Sequence, residues 1–362
     1  SSARDSTERA AGDGVRQADV EATTCGTRGN GSDPASAWRV RLRRRARGER
    51  GSCALSNHIP SARFARDPPR DLTMLLLIAV IALPLLISAW GPGTHLEFEH
   101  RVFRHRRARL PAATAKLIEE HREAWQYGQI AADLINFKSV GGPYSHCHRW
   151  GIIADMRALA TSDLERAFIL GYASHLAADT IAHNHFVPYH LARFARTKGL
   201  GHLYWEMSAD RFVPEERWDV VTKLKSLREL SALDQLVNRT VPRKALSMLT
   251  NKVIFNHVLL VSERAAWRGG VERLHPIGSV ELKRGFLDRF RDAAVERIYL
   301  VLGHEGLARI AGVDANGKAA QKAAVGVRVR LLHRLSPRSM GGVESAALAR
   351  PFLDGMCRPP PP

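Results

Sequence analysis

In GYASHLAADTIAHNHFVP, residues 171–188, His175, Asp179 and His183 are spaced four apart, with His185 two further on. On a helix that spacing puts the first three on one face within about 80° of arc. The rise of ~1.5 Å per residue spreads the outer pair over about 12 Å. Imidazoles and a carboxylate form a metal-ligand set, and one ion cannot span that length. Two or more ions about 3.5–4 Å apart, with Asp179 between them, fit it better. A polar helix face or a buried hydrogen-bond network is the other reading of the same residues.

Further candidates lie on either side. In GHLYWEMSAD, His202 and Glu206 are again four apart, an imidazole and a carboxylate of the kind zinc accepts. In SHCHRW, an extended backbone would point His146 and His148 one way and Cys147 the other, which makes Cys147 a packing residue rather than a ligand. In YGQIAADLI, Asp133 stands in an otherwise apolar stretch, where an acid needs a local donor or a positive partner. In WGPGTHLEF, His95 follows Trp90 by five residues. If the chain is cut before Trp90, the freed α-amino group and its own carbonyl can chelate a metal as a five-membered ring.

The elements that must position these residues read as helices. Apolar residues recur at helical spacing and alternating strand patterns are scarce, so the fold class is all-α, a multi-helix bundle. Helices are expected over Arg109–Glu123, Leu164–Ala182, Leu200–Phe212, Val220–Leu236, Pro242–Ala265 and Leu282–Leu302. Pro111 suits a first turn, and Thr161-Ser162-Asp163 supplies an N-cap. Breaks are expected at Gly141-Gly142-Pro143, Val187-Pro188, Gly269-Gly270 and Asp314–Gly317, with a loosely ordered tail over 336–362. One domain over 90–335 accounts for the pattern.

The 362 residues carry a net charge of +18, with 45% hydrophobic and 25% charged residues. Residues 1–73 hold fourteen Arg and nine acidic residues, no lysine and no sustained apolar period, so they read as a disordered leader. The first methionine is Met74, and native translation is expected to begin there. Residues 74–89, MLLLIAVIALPLLISA, are shorter than a spanning helix and resemble a signal peptide with cleavage near Ala89. Export follows from cleavage, and a membrane anchor from its failure. The rest of the chain is basic in its own right, which favours phospholipid surfaces, nucleic acid or phosphate esters as partners. Cys25, Cys53, Cys147 and Cys357 form neither a disulfide framework nor a zinc-finger spacing.

Taken in order, WGPGTH, YGQIAADLI, HCHRW, GYASHLAADTIAHNHFVP and GHLYWE resemble the zinc-dependent phospholipase C family. The Trp90-to-His95 stretch looks closest to the N-terminal domain of glycosylphosphatidylinositol-specific phospholipase D. The resemblance implies an all-α bundle holding two to three zinc ions that activate water against a phosphodiester, releasing a headgroup from a phospholipid. By motif, Asp133, His148 or His146, His175 and Asp179 would hold one ion. Trp90, His95 and Asp179 would hold a second, with Asp179 as the bridge. His202, Glu206 and either His183 or His185 would hold the third, with His183 favoured on helical spacing. Asp133 is the candidate to orient or deprotonate the attacking water. The resemblance leaves two alternatives: a zinc-dependent single-strand nuclease, for which Tyr144, Tyr172, Tyr204 and Trp205 are candidate stacking residues, and a non-catalytic zinc-binding scaffold.

Overall fold

The computed structural model describes residues 90–135, 147–194, 201–241, 282–304, 306–334 and 342–358, with Met248 and Thr250. The architecture is all-α, as the periodicity predicts, and no strand occurs among the described residues.

The central element is α5, Asp163–Ile181, when the helices are numbered from α1, Pro92–Arg109, through α2, Ala112–Glu120, α3, Arg122–Ala131, and α4, Gly151–Leu159. It starts in a capping box: Ser162 Oγ accepts from the Glu165 amide, and the Glu165 carboxylate accepts from the Ser162 amide at 3.1 Å. From Ala167 to Ile181 every residue but Leu170 is buried. A helix that is apolar nearly all round belongs in the middle of a core. It packs most extensively against α3 and against α10, Arg284–Leu302.

The contact with α3 depends on two glycines. A Cβ on Gly128 would lie 2.8 Å from the Gly171 Cα and 2.7 Å from the Tyr172 amide. A Cβ on Gly171 would lie 2.9 Å from the Gly128 Cα and would overlap the Trp125 carbonyl. Only bare backbones can cross this closely, and the crossing brings the C-terminal end of α3, with Asp133 just beyond it, against α5.

After Ile181 the chain does not break. It runs through a π-helical turn, Ala182–Phe186, directly into α6, Val187–Phe194, so the expected break at Val187-Pro188 does not occur. The Val187 amide bonds back to the Ala182 carbonyl, and Pro188 sits in the first turn of α6, where a missing N–H costs little.

Other boundaries differ for local reasons. Arg109–Glu123 is not one helix: α1 ends at Arg109, Pro111 caps α2, and a turn at His121 separates α2 from α3. Val220–Leu236 is likewise two helices, α8, Glu215–Ser226, and α9, Ser231–Thr240, parted by an extended Leu227 and a 3-10 turn. The Leu200–Phe212 prediction corresponds to α7, Gly201–Asp210. Helix α1 escaped the apolar pattern because its buried face includes Thr94, His95 and Glu99, and Arg122 pairs with Glu99 at 2.9 Å. The predicted helix over Pro242–Ala265, apart from helical Met248 and Thr250, and the breaks at Gly141–Pro143 and Gly269-Gly270 lie outside the described residues. After α11, Lys318–Arg334, the segment read as tail contains α12, Val343–Ala349, which packs on α6. Among the described residues no helix is long and apolar enough to cross a membrane, and residues 74–89 lie outside them.

His190 on α6 gives the core a pH dependence. Its ring is buried beside Trp205, Phe186 and Phe290, and Nδ1–H donates to the Phe186 carbonyl at 2.7 Å. Burial pushes its pKa down to about 3, and the hydrogen bond offsets only part of that. The folded state keeps the ring neutral while the unfolded chain takes a proton below about pH 6.5. Stability from this group is therefore full above pH 6.5 and falls as the pH drops below it, by about 1.4 kcal/mol per unit. In urea titrations of chelator-treated protein, the wild type should lose about 2 kcal/mol more than His190→Gln between pH 7 and pH 5. Equal losses would show that His190 does not carry this dependence.

Candidate metal centre

Five side chains from four parts of the chain converge in the core. His95 comes from the first turn of α1, Asp133 from the turn after α3, His148 from the segment before α4, and His175 and Asp179 from successive turns of α5. All five are buried, His95, His175 and Asp179 completely. Their donor atoms form two groups, His95–His175–Asp179 and Asp133–His148–His175, in which all the donors lie within 4.8 Å of one another.

His175 Nε2 and His148 Nε2 stand 3.0 Å apart, and the other donor separations lie at or just beyond hydrogen-bond range. Asp179 Oδ1 lies 3.4 Å from His95 Nε2, while Oδ2 lies 3.1 Å from His148 Nε2 and 3.3 Å from His175 Nε2. Asp133 Oδ1 is 3.5 Å from His148 Nε2 and 3.6 Å from His175 Nε2. Yet among the described residues both Asp179 oxygens and both His95 ring nitrogens are buried without an aligned hydrogen-bond partner. Burying such groups unsatisfied costs several kcal/mol, so they call for a further partner. Donors arranged tetrahedrally about zinc at 2.0–2.2 Å stand about 3.3–3.6 Å apart, close to the spacing here. The residues therefore fit a metal, and the two oxygens of Asp179 face different imidazoles.

Second contacts fix the rings. His175 Nδ1–H donates to the Gln129 carbonyl at 2.8 Å, which leaves Nε2 as the free donor, a common arrangement for a metal-bound histidine. That carbonyl reaches His175 because α3 and α5 cross at Gly128 and Gly171. Burial alone would raise the Asp179 carboxyl, but His175, His148 and His95 outweigh it and hold its pKa well below the usual carboxylate range. Burial, reinforced by His175, pushes the His95 pKa down. An ionised Asp179 and a neutral His95 are the forms a metal takes.

One turn before α11 holds two of the histidine segments, and the sequence marked it only as a break. Asn316 Nδ2 donates to the His148 carbonyl at 2.7 Å, Trp150 Nε1 donates to the Val313 carbonyl at 2.7 Å, and Asn184 Nδ2 donates to the Asp314 carbonyl at 2.7 Å. Gln321 Nε2 lies 3.2 Å from His183 Nδ1. Gly317, at φ 58°, lies so close to the His183 backbone that a Cβ would overlap its carbonyl. Asp314 shapes the turn by accepting from the Asn316 and Lys318 amides at 2.9 and 2.8 Å, the one sequence signal, D-x-N-G, that could have flagged it.

The other candidates are placed as follows. His183 Nε2 lies 3.8 Å from Asp179 Oδ2, whereas His185 Nδ1–H donates to the Phe352 carbonyl at 2.8 Å; both sit on the π-turn. Trp90 is fully buried: its indole donates to the Ala178 carbonyl at 3.3 Å and stacks on Phe186. Its neighbour Gly91 has no room for a Cβ beside Asp210, which accepts from Thr94 Oγ1 at 2.5 Å. Glu206 is buried on α7 but joins neither donor group. His146 and the His202 side chain lie outside the described residues. Cys147 is buried in neither group, its Sγ 3.1 Å from His148 Nδ1. Of the candidate stacking residues, Tyr172 donates to the Cys147 carbonyl at 2.9 Å and Trp205 packs on His190 and Phe194, so both rings serve the core.

Residues 94–246 match the profile of a family described as zinc dependent phospholipase C. Over this segment, less than half of the chain, the sequence is similar to the zinc-dependent phospholipase C family. The matched segment contains every ligand candidate except Trp90, and the buried His and Asp groups suit the zinc the family is named for. No curated protein and no solved structure gives a significant match.

Proposed function

We propose that the chain is a zinc-dependent phosphodiester hydrolase of the phospholipase C type, acting on a phospholipid headgroup. What supports this most is the pair of donor groups joined through His175 and straddled by Asp179, inside the segment that matches the family. Asp133, His148, His175 and Asp179 would hold one ion, and His95 and Asp179, with the Trp90 amine and carbonyl, a second. A third would take Glu206 and His202 with His183, the π-turn histidine nearer to Asp179. Zinc held there supplies Lewis-acid activation of water and neutralises charge developing on phosphoryl oxygens.

The chain's own residues do the rest. Asp179 divides its oxygens between the two groups and keeps both at a fixed separation. Asp133, with Oδ1 3.5 Å from His148 Nε2 and 3.6 Å from His175 Nε2, would orient a water or take its proton in addition to its ligand role. The Gln129 carbonyl fixes the His175 tautomer. The Trp90 indole, tied to Ala178 next to Asp179, would anchor a mature N-terminus created by cleavage after Ala89. Export, and a basic surface that settles on anionic membranes, belong to the same reading.

The test uses the form that begins at Trp90. Zinc per chain is measured by mass spectrometry, and hydrolysis is followed in parallel on phosphatidylcholine vesicles, a glycosylphosphatidylinositol and single-stranded DNA. Two or more zincs with lipid cleavage is the expected result. Cleavage of DNA alone would replace this reading with a nuclease, and full loading without turnover would replace it with a zinc-stabilised scaffold.

A further inference from the structure

On the outer face of α10 a cavity of about 540 Å³ is lined by Arg109, Arg289, Arg297 and Arg358, with Asp292, Glu296 and Cys357 among its other walls. None of its lining residues is a ligand candidate for the metal centre, and nothing below depends on the reading of that centre. The volume suits a small ligand or a headgroup.

The charges in the cavity do not cancel one another. Glu296 is engaged by Arg109, which grips it with two hydrogen bonds at 2.8 and 3.2 Å and lies over the Tyr299 ring. Asp292 is engaged from outside the cavity by Arg101, at 3.0 Å. Among the described residues three guanidiniums remain without a carboxylate. Arg289 and Arg358 are exposed. Arg297 is only 7% exposed, yet its side chain makes no hydrogen bond or ion pair among the described residues, and its Nη1 is a buried donor without an acceptor. A buried cation is ordinarily paired. Burial pushes the Arg297 pKa down, with the Cys357 thiol a weak opposing influence, as expected for a cation whose counter-charge is missing.

We infer that this cavity is an anion site that binds a phosphate group, with Arg297 at its floor and Arg289 and Arg358 at its rim. Guanidinium is the side chain whose planar fork matches phosphate oxygens two at a time, and three of them around one cavity favour a phosphate over a singly charged carboxylate. The phosphate could be carried by a lipid headgroup or be free in solution, and the experiment separates these sources.

Cys357 provides the readout, because it is an exposed thiol in the wall of the cavity while Cys147 is buried. The rate of Cys357 alkylation by N-ethylmaleimide is followed by peptide mass spectrometry in the full chain at constant ionic strength. It is measured with inorganic phosphate, with phosphatidylcholine vesicles, and with the same vesicles containing phosphatidate. Protection by phosphate, or by phosphatidate vesicles beyond plain ones, is expected, and which arm protects identifies the source. Arg297→Met should raise the half-protecting concentration at least about tenfold, the equivalent of one charge-assisted hydrogen bond. Because Arg297 is buried, the exposed double variant Arg289→Ala/Arg358→Ala is measured as well and should show a comparable shift without loss of fold. Absence of protection in every arm, or protection unchanged in both variants, would overturn the inference.

Discussion

Asp179→Asn is expected to release metal from both donor groups and to lower phosphodiester hydrolysis by at least about a thousandfold, as removal of a central metal ligand from a multinuclear site does. The substitution preserves shape but exchanges one anionic oxygen for an amide NH2. Oδ1 faces His95 and Oδ2 faces His148 and His175, so neither half of the cluster keeps its full donor set, whichever way the amide turns. The metal-free protein should lose stability as well. There His175, His148 and His95 hold the wild-type carboxylate ionised well below the usual carboxylate range, and the neutral amide forfeits those attractions. Thermal unfolding with chelator should thus show Asp179→Asn at or below the wild type. With excess zinc the wild type should rise by about 4 kcal/mol for a free metal concentration a thousand times Kd, while the variant barely moves. A zinc-induced rise of equal size in both proteins would remove Asp179 from the ligand set.

The readable part of the sequence was the part governed by spacing along one element. His175 and Asp179 lie on one uninterrupted helix, so a four-residue interval was enough to place them side by side. The capping box at Ser162 and the buried character of α5 were local in the same way. Past Ile181 the π-turn adds a residue to the helical phase, yet the side favoured by four-residue spacing holds: the structure puts His183 near Asp179 and His185 against Phe352.

Helix α1 was hidden for another reason: its inner face mixes Thr94, His95 and Glu99 with Leu96, Phe98 and Val102, so the pattern that reveals a buried helix was diluted at the helix that holds His95. The turn at Asp314–Gly317 was visible as punctuation, but its clamp on the His148 and His183 segments spans more than a hundred residues of chain and leaves no local signal. The cage is built where long-range contacts meet local spacing, and only the second of these can be read along the chain.

The α3–α5 crossing should prove the most sensitive point of the fold. Gly171→Ala places a methyl 2.9 Å from the Gly128 Cα and into the Trp125 carbonyl, and none of these is the end of a flexible side chain that could swing away. The helices must separate, so the substitution should cost about 3 kcal/mol or more despite the roughly 1 kcal/mol that alanine gains over glycine in helix propensity. Gly171→Val should leave little folded protein. Separation would also draw the Gln129 carbonyl away from His175 and Asp133 away from α5, so the folded fraction of Gly171→Ala should bind zinc about tenfold more weakly, the usual effect of disturbing the contacts behind a ligand. Gly326→Ala provides the matched control, since a Cβ there meets nothing within 4 Å in the middle of α11. It should stabilise by up to about 1 kcal/mol and leave zinc affinity unchanged. Urea denaturation should move the two alanine variants in opposite directions, and zinc titration should show weaker binding only in Gly171→Ala. If Gly171→Ala behaved like Gly326→Ala, the close crossing would not be what brings Asp133 and His175 together.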